Sequence, residues 1–467
     1  MALGRRRNEQ QEMWVATTEL PKSPGHVFYR KLNQLLADAG FDRFVESSCE
    51  PHYARHKGRP GIPPGVYFRM LLVGYFEGLT SQRGIAWRCS DSLSLREFLG
   101  LPITEESPDH SSLTRIRNRL PLEVHSQVFE FVLQVATEKR LIRGKSVAVD
   151  STTLEANAAM KSIVRRDTGE DWKEYLKRLM QEEGLIAEGE EPTDEDLRRF
   201  DRKRDNKKVS NEEWVSESDA EARITKMKDG TTHLAYKAEN VVDLDSDLIV
   251  AAEVYAADRG DAETMMDSVM QAQTHLNEVQ AGVGIEEVSA DKGYHSAKNL
   301  ELAESLQVRT YIPEPKHHAQ RRWMDKPEEY QRVVYNNRRR MRRPKGRELQ
   351  RARSELTERT FAHMCETGGY RRSWLRGLQK IRKRWLIHAA ARNLGVILRR
   401  LFGIGTARSL QPEGGLALRL YLACLVVLRH GIAYCAELGS HNRIARSARR
   451  NAMLRWSFQN TTYSTGC

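Results

Sequence analysis

The sequence predicts an α/β protein: a mixed sheet covered by helices, preceded by an all-helical N-terminal domain and followed by a basic helical C-terminal region. Three observations carry that expectation. Residues 23–120 place apolar side chains at helical spacing, broken by Pro and Gly. From Gly144 the pattern switches to alternation rich in β-branched residues, in KSVAVDSTTLEA. With one charged stretch set aside, the segments then run strand, strand, strand, helix, strand, helix, strand, helix.

The elements follow in order. HVFYRKLNQLLADAGF is helical because Val27, Phe28, Leu32, Leu35 and Leu36 share one face. Pro60, Gly61, Pro63 and Pro64 interrupt the chain, and GVYFRMLLVGYFEGL forms a more buried helix. Thr80 or Ser81 caps a short helix, Ser94 another, and Pro108-Asp109-His110-Ser111 opens one carrying Arg115, Arg117 and Arg119. This series suits either a helix-turn-helix-like DNA reader or a plain helical bundle with a solvated basic face. Residues 1–140 are therefore assigned to a helical domain. The sheet domain spans 141–402 and contains a densely charged segment, 161–218, expected as a helical insertion or a partly disordered linker.

Within the sheet domain, the first strand is expected to end near Asp150. THLAYKAENVVDL and LIVAAEVYAA form a hairpin across Asp245-Ser246-Asp247. Asp243, Asp245 and Asp247 resemble a calcium loop, but no glycine or closing glutamate follows at the required place, so this is a turn. DAETMMDSVMQAQTHLNEVQ is an amphipathic helix, IEEVSADKGY a strand ending near Asp291, HSAKNLELAESL a helix, and VRTYIPEP a strand stopped by its prolines. A long helical region is expected from near Glu348 past Leu401. Residues 403–467 form a basic tail.

The balance of 75 Lys+Arg against 63 Asp+Glu gives a net charge of +12, which favours a polyanionic partner through counterion release. The six cysteines are scattered without zinc-site spacing and read as reduced thiols. MALGRRRNEQQEMW has no apolar core, so a signal peptide is not expected. Leu416 to Cys435 is apolar but broken by Arg419, Arg429 and His430, which suits a helix packed on protein. No GxxxxGK[ST] loop is present, so nucleotide use is not indicated.

Asp150 and Asp291 each follow a buried apolar run, where sheets present functional side chains at strand ends. If the two strands are neighbours, the carboxylates converge. A third acid would come from a helix over the same edge, and Glu358 in SELTERTFAHM is the best placed, with Leu356, Phe361 and Ile381 seating the helix; Glu355 and Glu366 are the fallback acids. Clustered carboxylates repel one another unless a cation joins them. Two Mg²⁺ ions held by such a cluster activate an attacking oxygen and stabilise a leaving one at a phosphodiester. Lys292 and His295 stand beside Asp291, and Arg359 beside Glu358. Arg338, Arg339 and Arg340 lie in the strongest basic run, with Arg371 and Arg372 beyond the proposed catalytic helix. All are candidates for phosphate contacts, which position DNA without reading its sequence.

The ordered blocks GRPGIPPGVYFRMLLVGYFEGL, PDHSSLTRIRNRL, VAVDSTTLEANA, ADKGYHS, LTERTFAHM and RGLQKIRKRWLIHAAARNLGVILRRLFG resemble the DDE transposases of bacterial insertion sequences, in the IS5/IS1182-like group, over nearly the whole chain. The resemblance implies an RNase H-like catalytic fold and Asp150, Asp291 and Glu358 as catalytic and metal-binding residues. It further implies Mg²⁺ dependence, with Mn²⁺ able to substitute. Its implied partners are double-stranded DNA at the element's terminal inverted repeats and at the target, with a homodimer in the active complex. Its implied location is the bacterial cytoplasm, at the nucleoid. A Tyr-x2-Arg-x3-Glu-x6-Lys signature of related families is not kept: Arg351, Ser354 and Cys365 stand at its Tyr, Arg and Lys positions, and Arg353 is one step off. Two rival readings remain: a metal nuclease of the same fold that only hydrolyses, and a DNA-binding remnant that no longer cuts.

Overall fold

The computed structural model describes residues 16, 25–54, 61–187, 189–204, 210–227, 230–315, 323–324 and 326–407. The apolar stretch from Leu416 and nearly all of the basic tail lie outside them. By its contacts the chain divides into two units after Ser409, and all the described helices and strands belong to the first.

Among the described residues seven α-helices come first: α1 (Val27–Asp38), α2 (Phe41–Cys49), α3 (Pro64–Phe76), α4 (Gln82–Asp91), α5 (Leu93–Leu99), α6 (His110–Arg119) and α7 (Leu122–Glu138). Side-chain caps from Ser81, Ser92 and Asp109 start α4, α5 and α6, each accepting a bond from an otherwise orphaned backbone N–H. Pro64 opens α3, where the missing N–H has no partner to lose. Helix α3 is buried almost all round because α2, α4, α5 and a later helix each take one of its sides.

The sheet begins with β1 (Ser146–Glu155), and β2 (Ile163–Arg165), α8 (Trp172–Glu182), α9 (Asp194–Lys203) and β3 (Trp214–Ser216) come next. These last four elements make the charged segment a folded insertion. Strands β2 and β3 pair, and Leu176, Met180 and Leu197 form a small core of their own with Trp172, Tyr175 and Phe200 packed against it. The apolar stripe explains why so charged a sequence folds: both helices present one apolar face and leave their ions outside.

The chain then gives β4 (Arg223–Lys226), β5 (Thr232–Asp243), β6 (Leu248–Ala256), α10 (Asp261–Glu278), β7 (Glu287–Ala290), α11 (Ala297–Ser305), β8 (Arg309–Tyr311), α12 (Glu328–Arg342), α13 (Pro344–Phe361) and α14 (Leu378–Phe402). Strand β5 pairs antiparallel with β1 along one edge and with β4 and β6, end to end, along the other. Strands β7 and β8 continue the sheet parallel to β1. The sheet is thus mixed, an antiparallel meander extended by two parallel strands. Helices α13 and α14 cover one face and α10 the other. Among the described residues, no helix is long and apolar enough to cross a membrane.

Two expectations are corrected. Strand β1 does not end near Asp150 but continues to Glu155, because Ser151 to Glu155 keep pairing with β5 and because Glu155 exchanges backbone hydrogen bonds with Arg371 and Ser373. The helical region after Glu348 is not continuous. Helix α13 passes into a π-helical turn, Ala362–Thr367, and the chain is extended before α14 starts at Leu378. Gly369 and Gly377, at φ +69° and +89°, supply the backbone conformations that make this break.

Candidate functional site

The position of Asp150 and Asp291 follows from register. Val149 lies opposite Ala290 in the parallel pairing of β1 and β7, so the next residues, Asp150 and Asp291, stand side by side across neighbouring strands, roughly 5 Å apart at the backbone. The two strand cores, Val147–Val149 and Val288–Ala290, are buried and rigid, and they deliver both carboxylates to one rim. Asp291 itself is exposed. Its Oδ1 accepts the Lys292 N–H at 2.7 Å and starts a 3-10 turn over Lys292–Tyr294. Burial and the neighbouring Asp291 charge push the Asp150 carboxyl upward, while Thr357, Arg353 and the Ser151 N–H pull it down; burial wins.

Helix α13 crosses this rim and fixes Asp150 from above. Its inner face repeats as Gln350, Arg353 and Thr357. Gln350 Nε2 donates to the Ser289 hydroxyl and to the carbonyls of Ala290 and Tyr311, locking the helix onto β7 and β8. Arg353 Nη1 lies 3.1 Å from Asp150 Oδ2. The Thr357 hydroxyl lies 2.9 Å from Asp150 Oδ2 and from the Arg353 carbonyl, and its single proton serves one of them at a time. Leu356 and Phe361 are partly buried and pack against the core that holds Ile381, while Thr357 and Thr360 are fully buried and Thr357 reaches the sheet at Asp150.

Glu358 follows Thr357, about 100° further round the helix. It is exposed and accepts a hydrogen bond from Ser354 at 3.0 Å. Of the fallback acids, Glu355 pairs with Arg359 and Glu366 with Arg371. Among the described residues, no group of three His, Cys, Asp or Glu side chains is gathered as a metal cluster. Asp150 and Asp291 fit a divalent cation in one specific respect: they are adjacent hard-oxygen donors, and among the described residues Arg353 is the cation paired with Asp150. The π turn that follows α13 is of a kind that recurs at functional sites.

The opposite face of β1 holds a second ionic group that pattern reading did not reveal. Ser151 Oγ donates to Asp261 Oδ1 at 3.0 Å, and Lys237 Nζ lies 2.8 Å from Asp261 and 3.3 Å from Glu239. Glu239 is wholly buried and accepts from Thr264, Ser268 and Tyr294. Tyr294 belongs to the turn that Asp291 starts, so this network ties that turn to the sheet. Gly293 packs closely against this group: a Cβ there would stand 2.7 Å from Asp261 Oδ2 and displace that carboxylate.

The basic candidates occupy varied surroundings. Lys292 and Arg339 are exposed, and His295 is half-buried. Arg338 pairs with Glu314, Arg340 binds the carbonyl and hydroxyl of Thr310, and Arg372 lies near Glu155 and over the Trp374 ring. Arg359 also reaches Asp247 at 3.5 Å. On α6, Arg115 is exposed beside Ser112 and Arg119 lies over the Tyr53 ring, but Arg117 is turned inward.

Two protein-family models match this chain. A transposase domain (DUF772) covers residues 18–119, and a transposase DDE domain covers residues 147–394, more than half of the sequence. The chain belongs to the DDE transposase family, and this pair of domains is characteristic of the IS1182-family transposases of insertion sequences. Members of the family carry out nuclease and transposition chemistry on DNA and generally use divalent metal ions. No curated protein and no solved structure matches significantly.

Proposed function

We propose that this DNA transposase binds the terminal inverted repeats of its insertion sequence and catalyses Mg²⁺-dependent strand cleavage and strand transfer. The observation that carries the reading is the β1–β7 register, which sets Asp150 beside Asp291 within the DDE match. The domain of residues 141–402 is RNase H-like in this reading, supported by the meander of β1, β5 and β6 followed by β7 and β8 parallel to β1. The helices within 1–140 recognise the element ends, and a homodimer holds two ends together in the cytoplasm, at the nucleoid.

Asp150, Asp291 and Glu358 hold the divalent cations, which when bound supply activation of the attacking oxygen and charge stabilisation of the leaving 3′-oxygen. The protein's own part is positioning. Gln350 holds α13 against the rim, Arg353 and Thr357 orient the Asp150 carboxylate, and Ser354 orients Glu358. Lys292, exposed beside Asp291, contacts the phosphate backbone next to the scissile bond. The remaining charge stabilisation is preorganised by the fold.

The test is cleavage and joining of a labelled duplex carrying the element's terminal repeat, with Mg²⁺ or EDTA, for wild type and Glu358→Gln. Metal-dependent cleavage and joining that disappear in the variant while DNA binding persists is the expected result. Full activity in Glu358→Gln would remove Glu358 from the triad. Hydrolysis without joined products would make the protein a nuclease, and binding without any cutting would mark it as a remnant.

A further inference from the structure

The basic run across α12 and the start of α13 divides by helix. On α12 the cations are answered within the fold. Arg338 pairs with Glu314, and Arg340 binds Thr310. Arg339, Arg340 and Arg342 also stand in the last turn, where the negative end of a helix favours positive side chains. On α13 the sign is reversed. Arg343 caps its N-terminus, Arg347 follows one turn later, and no acid stands in the first turn. The positive end of a helix disfavours cations. Lys345 finds a carboxylate there, in Glu287. Arg343, Arg347 and Arg351 are exposed, and among the described residues none of their guanidinium groups has a partner.

The helical period draws Arg347, Arg351, Ser354 and Glu358 into one line, within about 60° round α13. Gln350, Arg353 and Thr357, which meet the sheet, lie about a quarter turn to one side. Lys345 marks the far flank, because its ammonium reaches Glu287 at the start of β7. The line therefore runs along the flank beside the strand ends, where Asp150 and Asp291 stand. The other acids of the helix, Glu348 and Glu355, share its outer face, and Glu355 is paired with Arg359. Exposed arginines that the fold leaves unpaired, at a helix end that disfavours them and on a line that leads to Glu358, make a surface for a polyanion.

Helix geometry gives the spacing. Asp150 meets α13 between Arg353 and Thr357. Arg351 stands about 6 Å and Arg347 about 12 Å back along the axis from that level. One DNA strand advances about 3.4 Å per phosphate along the duplex axis. The two arginines thus match phosphates roughly two to four steps away.

We propose that Arg347 and Arg351 form a backbone track, gripping phosphates of the element's end roughly two to four nucleotides from the position cut at the Asp150–Asp291 rim. Arg338 and Arg340, the denser run in sequence, are held by the fold and take no part. The track sets the strand's register without reading bases. Its distance from the cut rests on the proposed catalytic centre; its grip on DNA does not.

The test uses the full chain in EDTA, so it does not depend on catalysis. Affinity for a labelled terminal-repeat duplex is measured by anisotropy from low to moderate salt. The slope of log affinity against log salt should fall by about one in Arg347→Gln and in Arg351→Gln, and by about two in the double variant. It should be kept in Arg347→Lys and in Arg338→Gln, with circular dichroism unchanged throughout. An unchanged slope in the double variant overturns the track and leaves a solvated helix face. An equal fall in Arg338→Gln also overturns it, because net charge alone would then be read. Neutral methylphosphonates at the second to fourth phosphates from the element's end should weaken wild type and cost the double variant nothing further. A full added loss in the double variant overturns the placement. Slopes that fall while wild type ignores the methylphosphonates make target DNA the ligand and overturn the assignment to the element's end. A failure of Glu358 as the third acid would leave the salt slopes as they are and move only the count of phosphates.

Discussion

Two groups of carboxylates sit back to back across β1, and their difference separates structure from chemistry. On one face Glu239 and Asp261 are answered several times over: by Lys237, by the hydroxyls of Ser151, Thr264 and Ser268, and by Tyr294. On the other face Asp150 and Asp291 stand side by side with one guanidinium and one hydroxyl between them, and Asp150 is pushed upward. A buried ion that is fully satisfied rigidifies a fold. The carboxylate pair left short of positive charge at the rim is the one proposed above to bind cations.

The largest expected effect breaks this comparison if it fails. Asp150→Asn removes one of the paired charges while keeping shape and most hydrogen bonds. Cleavage of terminal-repeat duplex should fall by about three orders of magnitude, or about 4 kcal/mol of transition-state stabilisation, with duplex affinity unchanged by anisotropy. Activity within tenfold of wild type would place the chemistry elsewhere.

The second variant acts on the other face. Glu239→Gln leaves Lys237 buried with only Asp261 for charge and gives Tyr294, Thr264 and Ser268 a weaker acceptor. Breaking a buried pair in this way destabilises by about 3–5 kcal/mol. The midpoint of urea unfolding should drop accordingly, while cleavage per folded molecule stays within a few-fold. If stability holds and cleavage collapses, the two faces have exchanged roles.

The Asp150–Asp291 pair was legible because each follows an apolar run, and the run is what makes a strand rigid. The hairpin of β5 and β6 and the helix α10 were legible from period alone. The Lys237–Glu239 pair was not: polar residues alternating on a strand look solvated, and only α10, far along the chain, shows that they are buried. The extension of β1 to Glu155 was hidden for the same reason, since its added partner is the segment around Arg371. The break between α13 and α14 was marked by Gly368, Gly369 and Gly377, but the helical spacing on both sides masked it. Arg353 and Thr357 were recoverable in principle, being one turn apart on a helix with Gln350. What period could not supply was which helix face meets the rim, and that places Thr357 inward and Glu358 beside it. Likewise Arg115, Arg117 and Arg119 look alike in sequence, yet only Arg117 turns into a cavity beside α14.

The smallest effect comes from a carboxylate between the two extremes. Glu130 on α7 is pushed up from 4.5 to about 7 by burial and then by Glu278 on α10. Its other neighbour, His275, lies 3.8 Å away and is itself driven downward by burial, which disfavours its charged form. Like Asp150, it is therefore short of positive charge, but it faces no open rim. Because its folded value lies above its unfolded one, the stability Glu130 contributes is complete below pH 4.5 and is lost as pH rises through about 7. Glu130→Gln should therefore stabilise the protein at pH 8 by roughly 1–3 kcal/mol and leave it unchanged near pH 4.5, read as the difference in urea midpoints at the two pH values. DNA cleavage should not respond, since the residue sits on α7 and touches neither face of β1. A gain of equal size at both pH values would mean that the glutamine packs better, and the charge would have no part in it. No gain at pH 8 would show that Glu130 finds enough solvent to ionise freely, which would leave Asp150 as the carboxylate whose shortage of charge has a consequence.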